Sequence, residues 1–390
     1  MKAYRGKEMN SSKLKVMSIF GTRPEAIKMA PLILELNKCQ EKIESVVVVT
    51  AQHREMLDQV LETFHIIPDY DLNIMKKQQS LVDVVTNGLS GLDKVIKEVQ
   101  PDVVLVHGDT ATTFVGSLAA FYNRVSIGHV EAGLRTWKKL SPYPEEMNRQ
   151  LTGTLADIHF SPTKKAAQNL RDENKFEDSI FITGNTVIDA LQTTVKKNYT
   201  HSILESLGSD KMILVTVHRR ESVGEPMSNM FRAIKRLVDK HNGIQVVFPI
   251  HMNPAVREIA NEILSEEPRI KMIEPLGVID FHNITARSYI ILTDSGGVQE
   301  EAPSFGVPVL VLRDTTERPE GIEAGTLKLA GTDEDTIFAL ADELLTDEST
   351  YNKMAQAANP YGDGHASRRI IEALLYYFNR IDEKPEPFAG

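Results

Sequence analysis

Short apolar runs alternate along the chain with longer segments whose apolar residues recur every three or four positions. In one such segment Leu81, Val84, Val85 and Leu92 fall on a single helical face. The short runs predict β-strands at 16–20, 46–50, 103–106, 126–130, 157–160, 180–183, 212–217, 245–250, 270–273, 289–293 and 307–312. Strands that alternate with helices are typical of parallel sheets covered on both faces, so the pattern predicts an α/β fold.

The number of predicted strands exceeds what one doubly wound sheet comfortably holds. We therefore predict two Rossmann-like domains that face each other across a cleft. The break follows Asp189 and lies across the polar span 196–210. The segment after Asp382, which contains Pro385 and Pro387, is expected to be loose.

The stretch 290–321 combines a predicted strand, a tight turn at 294–297 and a helix start at 298–301. Gly296 and Gly297 in that turn would let a ligand approach the backbone, and a helix N-terminus behind them suits phosphate. Glu300 or Glu301 could accept hydrogen bonds from ribose hydroxyls, and Arg318 could clamp a diphosphate. The same residues are also explained without a ligand, as a glycine turn followed by a helix whose first turn is stabilised by acidic residues.

Polar residues follow the predicted strands one after another, where open α/β sheets bind their ligands. The residues expected to converge in one cleft are Arg23, Asp109, Glu131, Glu145, His218 and Arg318. Single residues have simpler explanations. Asp109 could cap a helix, Glu145 could pair with Arg149, and His218 could be a hydrogen-bonded structural histidine. Glu131 could be a turn residue, and Arg23 could belong to a solvated basic face. One shared site explains all of these strand ends together, whereas the local explanations require a separate cause at each strand end.

Composition narrows the function classes. The 390 residues carry a formal net charge of −10, which repels polyanions, so neither nucleic acid nor an anionic membrane is an expected partner. Cys39 is the single cysteine, which excludes an internal disulfide and fits a cytoplasmic protein. No apolar run predicts a transmembrane helix, and no signal peptide is supported. No His or Cys cluster has metal-ligand spacing, so no metal is expected.

The strand ends and their neighbours carry these motifs: Phe20-Gly-Thr-Arg-Pro-Glu-Ala-Ile-Lys-Met-Ala-Pro31, Ala51-Gln-His-Arg54, His107-Gly-Asp-Thr110, His129-Val-Glu-Ala-Gly-Leu-Arg135, Pro144-Glu-Glu-Met-Asn-Arg149, His218-Arg-Arg-Glu221, Asp294-Ser-Gly-Gly-Val-Gln-Glu-Glu301 and Thr316-Glu-Arg-Pro-Glu320. Together they closely resemble the bacterial non-hydrolysing UDP-N-acetylglucosamine 2-epimerases, from about Lys15 to Arg380. The resemblance implies a glycosyltransferase-B fold. It places residues 1–187 and 366–390 in an N-terminal domain that carries the catalytic carboxylates, and residues 188–365 in a UDP-binding domain.

The resemblance also implies an activity without metal, nicotinamide or other cofactor. UDP-N-acetylglucosamine (UDP-GlcNAc) and UDP-N-acetylmannosamine (UDP-ManNAc) would interconvert through loss and return of UDP via 2-acetamidoglucal, which supplies ManNAc units for cell-surface polysaccharide. The implied catalytic residues are Asp109, Glu131, Glu145 and His218, and the implied UDP-sugar ligands are Arg23, Lys28, Ser295, Gly296, Gly297, Glu301 and Arg318. Which carboxylate is the acid and which the base stays open. A homodimer is a further expectation.

Some members of that family bind a second UDP-GlcNAc as an activator. The matching positions here are Gln52, His53, Gln79, Arg219 and His251. Glu55 and Gln78 depart from the glutamine and arginine of close relatives. An added carboxylate and a lost arginine near a diphosphate should weaken such a site.

The same residues are compatible with three other functions. A glycosyltransferase of this fold would need an acceptor site, a hydrolysing epimerase would release free sugar, and a UDP-sugar-binding regulator would lack the chemistry. Exchange of the C2 hydrogen with solvent separates the epimerases from the transferase and the regulator.

Overall fold

The computed structural model describes residues 13–51, 54–75, 79–219 and 222–390. These residues form two compact units. One contains the described residues up to Ala190 together with Gly362–Gly390, and the other is Leu191–Tyr361. Among the helices within the described ranges, none combines the length and the apolar character needed to cross a membrane.

The first unit alternates strands and helices along the chain. Its strands are Leu14–Phe20 (β1), Ile43–Val49 (β2), Tyr70–Asp71 (β3), Val103–His107 (β4), Ser126–Val130 (β5), Ile158–Ser161 (β6) and Ile180–Ile182 (β7). Its helices are Arg23–Lys38 (α1), Arg54–Thr63 (α2), Leu81–Val99 (α3), Ala111–Tyr122 (α4), Glu145–Leu155 (α5), Lys164–Asp172 (α6) and Thr186–Thr194 (α7), the last of which crosses into the second unit. The strands form one parallel sheet in the order β3-β2-β1-β4-β5-β6-β7.

Both faces of this sheet are buried, as the continuous apolar strands require. In β1, Val16 and Phe20 pack into the core layer that contains Leu32 of α1. Met17 and Ile19, on the opposite face, join the layer that contains the α3 residues. The alternation of side chains along a strand thus places one core on each side of the sheet.

The second unit repeats the plan with a shorter sheet. Its strands are Lys211–Thr216 (β8), Ile244–Pro249 (β9), Ile270–Ile273 (β10), Ile290–Thr293 (β11), Val309–Val311 (β12) and Leu327–Leu329 (β13). Its helices are Ser202–Glu205 (α8), Glu225–Lys240 (α9), Pro254–Leu264 (α10), Val278–Thr285 (α11), Gly296–Glu301 (α12), Pro319–Glu323 (α13), Glu334–Thr346 (α14) and Glu348–Ala355 (α15). The parallel order is β10-β9-β8-β11-β12-β13.

The chain then returns to the first unit as a final helix, Ala366–Tyr377 (α16). Ile370, Ile371 and Leu374 of α16 lie in the core layer that also contains the buried face of α1. Asp189 fixes the start of α16, because its carboxylate accepts hydrogen bonds from the backbone N–H of Ala366 and Ser367 at 3.1 and 2.7 Å.

The predicted α/β class with two Rossmann-like sheets is confirmed. The strands β3 and β13 were not predicted. They contain 2 and 3 residues and lie at sheet edges, so they are too short for a hydrophobic alternation to show. The helix predicted at 298 begins two residues earlier, at Gly296.

The expectation of a loose segment after Asp382 is wrong. Phe388 is only 7% exposed, and its backbone N–H donates to the carbonyl of Ile182 in β7 at 2.8 Å. The guanidinium of Arg369 lies 5.6 Å from the centre of the Phe388 ring. A single buried aromatic and one strand-like hydrogen bond therefore hold a segment whose prolines suggest mobility.

Candidate active site

Each sheet has one point at which the strand order reverses. In the first sheet it lies between β1 and β4, and in the second between β8 and β11. Doubly wound sheets bind ligands outside the carboxyl ends of the strands at such a point. A binding site is therefore expected at the turns that begin at Gly21, Gly108, Val217 and Asp294.

Glu131 follows β5 directly, next to the switch point of the first sheet. Its φ of +62° lies in the left-handed region, which is uncommon for a residue with a side chain. Lys28 Nζ donates to both of its carboxylate oxygens at 2.8 and 2.6 Å, and His107 Nε2 lies 2.9 Å from Oε2. Burial by itself would raise the pKa of the Glu131 carboxyl, but Lys28 and His107 hold that pKa well below its ordinary value. The site therefore contains a buried, ionised carboxylate.

Asp109 lies in the turn after β4, the strand that pairs with β5. The guanidinium of Arg149 donates to its carboxylate, and Asn148 Nδ2 donates to its backbone carbonyl at 3.0 Å. Both partners belong to α5, so this helix is fixed against the Asp109 turn. Since α5 begins at Glu145, the structure brings the helix of the third predicted carboxylate to the turn of the first.

Glu145 is half-buried at the start of α5, and the buried acidic residue is its neighbour Glu146. The two carboxylate oxygens of Glu146 accept hydrogen bonds from the backbone N–H of Thr136 and Trp137, each at 3.0 Å. Burial raises the pKa of the Glu146 carboxyl, and these hydrogen bonds together with Arg149 bring it below its ordinary value. Glu146 thus fixes the loop that connects Glu131 to Glu145, a role that the sequence did not reveal.

Arg23 and Lys28 both lie in α1 but have different surroundings. Arg23 is the first residue of the helix, in the turn after β1, and is half-buried. Lys28 contacts Glu131, with its side chain 14% exposed. The structure therefore places Lys28 on a catalytic candidate of its own unit, whereas the sequence indicated a contact with the UDP-sugar.

Asp294 organises the switch point of the second sheet. Its side chain is fully buried, and its Oδ2 accepts hydrogen bonds from the backbone N–H of His218 and Arg219 at 2.8 and 2.9 Å. His218 Nδ1 lies 2.8 Å from Asp294 Oδ1. Burial raises the pKa of the Asp294 carboxyl, but the contacts with His218 bring it below its ordinary value. An ionised Asp294 thus orients His218 and leaves its side chain 42% exposed.

His251, one of the predicted activator residues, lies beside His218 with 5.7 Å between the ring centres. Burial and the neighbouring His218 lower the pKa of His251. Arg219 Nε donates to the backbone carbonyl of Asp294 at 3.1 Å. Two predicted activator residues therefore lie at the switch point of the second sheet, His251 beside His218 and Arg219 against Asp294.

The other activator positions fall in the first unit. Gln79 is half-buried just before α3, and Glu55 is exposed on α2. Gln52, His53 and Gln78 lie outside the described residues.

Arg318 lies over the glycine turn that follows β11. A Cβ atom on Gly296 would be 2.8 Å from the Arg318 guanidinium carbon, so a larger residue there would displace the guanidinium. Arg318 Nε donates to Glu300 Oε1 at 2.8 Å, and Glu300 is buried. Glu300 therefore holds the arginine, which leaves Glu301 as the acidic residue of this turn for a ligand.

Glu301 has a buried histidine as its neighbour. His282 Nε2 lies 3.4 Å from Glu301 Oε2, and His282 Nδ1 lies 2.7 Å from Thr194 Oγ1. Ser295 and Gly297 are half-buried at the start of α12, where the backbone N–H of Ser295 donates to Thr293 Oγ1 at 2.9 Å.

Sequence reasoning did not assign a role to His107, Glu146, Asp294 or His282, and it offered Glu300 as a possible ribose ligand but not as the partner of Arg318. All except His282 lie within the strand-end motifs, so their positions were available but their burial was not. Within the described part of the chain, no group of three or more His, Cys, Asp or Glu side chains could hold a metal ion.

Comparison with known proteins agrees with this geometry. Residues 35–375 match the family model described as UDP-N-acetylglucosamine 2-epimerase. A UDP-N-acetylglucosamine 2-epimerase from Bacillus subtilis (strain 168) is 64% identical over 378 residues, which cover 97% of this chain and 99% of the relative.

Several solved structures of relatives contain a nucleotide ligand. Staphylococcus aureus MnaA with UDP is 56% identical, with a TM-score of 0.88, over 96% of this chain and 100% of the other. UDP-GlcNAc 2-epimerase from Neisseria meningitidis, bound to UDP-GlcNAc, is 50% identical, with a TM-score of 0.85, over 93% of this chain and 100% of the other.

Proposed function

The chain belongs to the UDP-N-acetylglucosamine 2-epimerase family, and from this premise we propose that it reversibly interconverts UDP-GlcNAc and UDP-ManNAc without hydrolysis. The observation that supports the proposal most directly is the ionised Glu131, held by Lys28 and His107 next to the turn of Asp109. An ionised carboxylate buried beside the turn of a second carboxylate suits a reaction that must move a proton from one face of a carbon to the other.

The chemistry proceeds by elimination and re-addition. A carboxylate takes the proton from C2 of the sugar while the bond between C1 and the UDP oxygen breaks, which leaves 2-acetamidoglucal and UDP. The UDP oxygen then attacks C1 and a proton reaches the other face of C2, so that all atoms are conserved. Direct inversion would be harder, because C2 has no adjacent carbonyl to stabilise a carbanion.

Each carboxylate of the first unit has a proposed part in these steps. Glu131 is the proposed acceptor of the C2 proton of UDP-GlcNAc, because it is a buried and ionised carboxylate beside the turn of Asp109. Asp109 and Glu145 are the candidates for returning a proton to the other face. Arg149 fixes the carboxylate of Asp109, and Glu145 is the first residue of the same helix as Arg149.

The second unit supplies the proposed nucleotide contacts. Arg318, fixed over Gly296 by Glu300, provides a guanidinium for the diphosphate. Glu301 accepts hydrogen bonds from the ribose hydroxyls, Ser295 and Gly297 line the same turn, and Arg23 of the first unit is a further diphosphate ligand. His218, oriented by Asp294, stabilises the charge that develops on departing UDP.

One experiment tests the proposal as a whole. Purified protein is incubated with UDP-GlcNAc in heavy water, and the products are followed by NMR. We expect UDP-ManNAc to form, with deuterium at C2 of both nucleotide sugars. Free ManNAc as the main product would identify a hydrolysing enzyme, and unchanged hydrogen at C2 would contradict an epimerase.

We also propose that a second UDP-GlcNAc activates the enzyme through Arg219 and His251, with Gln52, His53 and Gln79. Trace UDP-GlcNAc should then accelerate the conversion of pure UDP-ManNAc, and Arg219→Ala should abolish that acceleration. Equal initial rates with and without the trace would show that this activation does not operate.

The remaining proposals concern the cellular setting. The enzyme is a cytoplasmic homodimer whose product supplies ManNAc units for a cell-surface polysaccharide. Phe121 and Tyr122 at the end of α4 are 55% and 64% exposed, an apolar surface that favours self-association. Light scattering of the purified protein checks the dimer, and a monomeric mass at micromolar concentration would contradict it.

A further inference from the structure

Three consecutive residues of the turn that carries Asp109 are each held by a side chain from a different element. His129 Nε2 of β5 lies 2.7 Å from the Gly108 carbonyl oxygen, and Asn148 of α5 donates to the Asp109 carbonyl at 3.0 Å. Thr110 Oγ1 donates to Glu25 Oε1 of α1 at 2.7 Å. Contacts from three elements converge on one tripeptide, which is more than a turn needs to close.

Gly108 explains why this turn needs support. Its φ of +67° lies in the left-handed region, and a Cβ atom there would meet nothing within 4 Å. The turn is therefore not fixed by packing around Gly108. Its conformation depends on hydrogen bonds: those of its carbonyl groups and of the Thr110 hydroxyl, and the one that the Gly108 backbone N–H donates to the Val130 carbonyl at 2.9 Å.

Glu25 joins two turns through one carboxylate and is only 2% exposed. Its Oε2 accepts hydrogen bonds from the backbone N–H of Gly21 and Thr22, at 3.0 and 2.8 Å, and from the Thr22 hydroxyl at 2.8 Å. Its Oε1 faces the Thr110 hydroxyl. The first set of contacts caps α1, as a glutamate at this position commonly does. The second set connects the turn after β1 with the Asp109 turn, across the switch point.

His129 acts on the same turn from the opposite side. The ring is 1% exposed, and burial lowers the pKa of His129 to about 3, so that the imidazole is neutral at working pH. A neutral imidazole has one N–H, and the Gly108 carbonyl next to Nε2 can only accept a hydrogen bond. His129 is therefore a fixed donor and does not transfer protons.

We propose that Glu25 and His129 are positioning residues that set the location of the Asp109 carboxylate relative to the sugar, through hydrogen bonds to Thr110 and Gly108. The inference rests on the proposed role of Asp109 in the reaction. Neither side chain contacts the substrate in this account. A displacement of about 1 Å at a reacting group can cost about 100-fold in rate, so the contacts of the turn matter for catalysis.

The test compares variants that remove the hydrogen bond with variants that keep it. Glu25→Ala and His129→Leu should each lower kcat for UDP-GlcNAc about 100-fold. Glu25→Gln and His129→Gln retain a polar group at the same reach and should stay within about tenfold of the parent. KM should change less than about threefold in the two His129 variants, because His129 contacts none of the proposed nucleotide ligands. Glu25 also holds the turn that precedes Arg23, so the comparison of Glu25→Ala with Glu25→Gln is made on kcat.

Asp333→Ala is the matched control for lost helix capping. Asp333 accepts hydrogen bonds from the backbone N–H and the hydroxyl of Thr336, at 2.9 and 2.7 Å, at the start of α14 in the second unit. It should lower Tm and leave kcat unchanged. If Glu25→Ala and Asp333→Ala lower Tm alike and neither changes kcat, Glu25 is only a cap and the proposal is overturned. Equal loss in the Ala and Gln variants of Glu25 would also overturn it.

Amide hydrogen exchange gives a readout that does not need activity. The peptide covering residues 107–112 should exchange faster in Glu25→Ala and His129→Leu than in Asp333→Ala. Should Glu25→Ala not fold, Thr110→Val and Thr110→Ser replace the pair, since only serine retains the hydroxyl. Faster exchange without any C2 deuterium incorporation in the parent protein would refute the epimerase proposal and leave the positioning of the turn intact. Unchanged exchange would overturn the positioning itself.

Discussion

At Glu131, backbone conformation, burial and two neighbouring side chains act on one carboxylate. The left-handed backbone aims the side chain at Lys28 and His107, and both polar partners are themselves largely buried. Burial alone would raise the pKa of the Glu131 carboxyl above its ordinary value and favour the protonated form. Because the contacts with Lys28 and His107 outweigh burial, the folded protein contains an anion at the proposed proton acceptor.

Replacement of either central carboxylate should remove most of the activity. Glu131→Gln and Asp109→Asn preserve shape but cannot accept a proton, so each should lower kcat by about 100-fold or more. Steady-state turnover of UDP-GlcNAc measures the effect, with Glu343→Gln at a surface ion pair as control. Near-normal turnover in either variant would exclude that residue from the proton transfers.

Removal of the Lys28 charge should move the pH dependence. In the parent the pKa of Glu131 is lowered, so its carboxylate stays ionised at pH values well below the ordinary pKa of a glutamate. Activity should therefore persist to the same low pH. In Lys28→Met burial is no longer balanced by the Lys28 charge, so the pKa of Glu131 rises and the acidic limb of kcat/KM shifts to higher pH. Lys97→Met, at an exposed pair with Asp93, is the control. An acidic limb that does not move would show that Glu131 ionisation does not limit the rate.

At the scale of elements, buried carboxylates connect loops that the sequence leaves unconnected. Glu146 holds the loop after Glu131, Asp294 holds the loop after β8, and Asp189 holds the start of α16. Each accepts backbone N–H groups that would otherwise be unpaired at a turn or helix start. Functional side chains are thus fixed by neighbours whose charges are directed inward.

The last segment of the chain should contribute to stability. Phe388 packs against the first unit and pairs with the edge strand β7, so truncation after Asp382 removes a buried aromatic and uncovers a sheet edge. We expect the free energy of unfolding to fall by about 2 kcal/mol, the usual gain from burial of one phenylalanine. Chemical denaturation of the truncated protein and of Phe388→Ala measures it.

Phe176→Ala is the control for that experiment, because Phe176 is 73% exposed. If truncation has no more effect than Phe176→Ala, the terminal contacts do not stabilise the fold.

For the molecule as a whole, the two units divide the proposed tasks. Each has its own parallel sheet and its own core on both faces of that sheet. The proposed acid and base groups come from the first unit and most of the nucleotide ligands from the second. Each unit can therefore be expected to respond separately to part of the substrate.

UDP without the sugar should act mainly on the second unit. At about 100 times its Kd, UDP should add about 2.7 kcal/mol to the stability of the residues that bind it. Hydrogen exchange should then show the strongest protection at residues 294–301 and 316–318. Protection confined to residues 14–130 would contradict the assignment of the nucleotide to the second unit.

The sequence by itself determined the α/β class, most of the strands and the strand-end positions of the polar residues. Those features follow from local patterns, since burial on both sheet faces demands continuous apolar runs and ligands collect where parallel strands end. Only the tertiary structure decided that Glu146 and not Glu145 is the buried neighbour, that Lys28 contacts Glu131, that Glu300 holds Arg318, and that Phe388 packs on the first unit. These facts depend on which distant residues meet and on how deeply each charge is buried, and neither quantity is encoded in the spacing of residues along the chain.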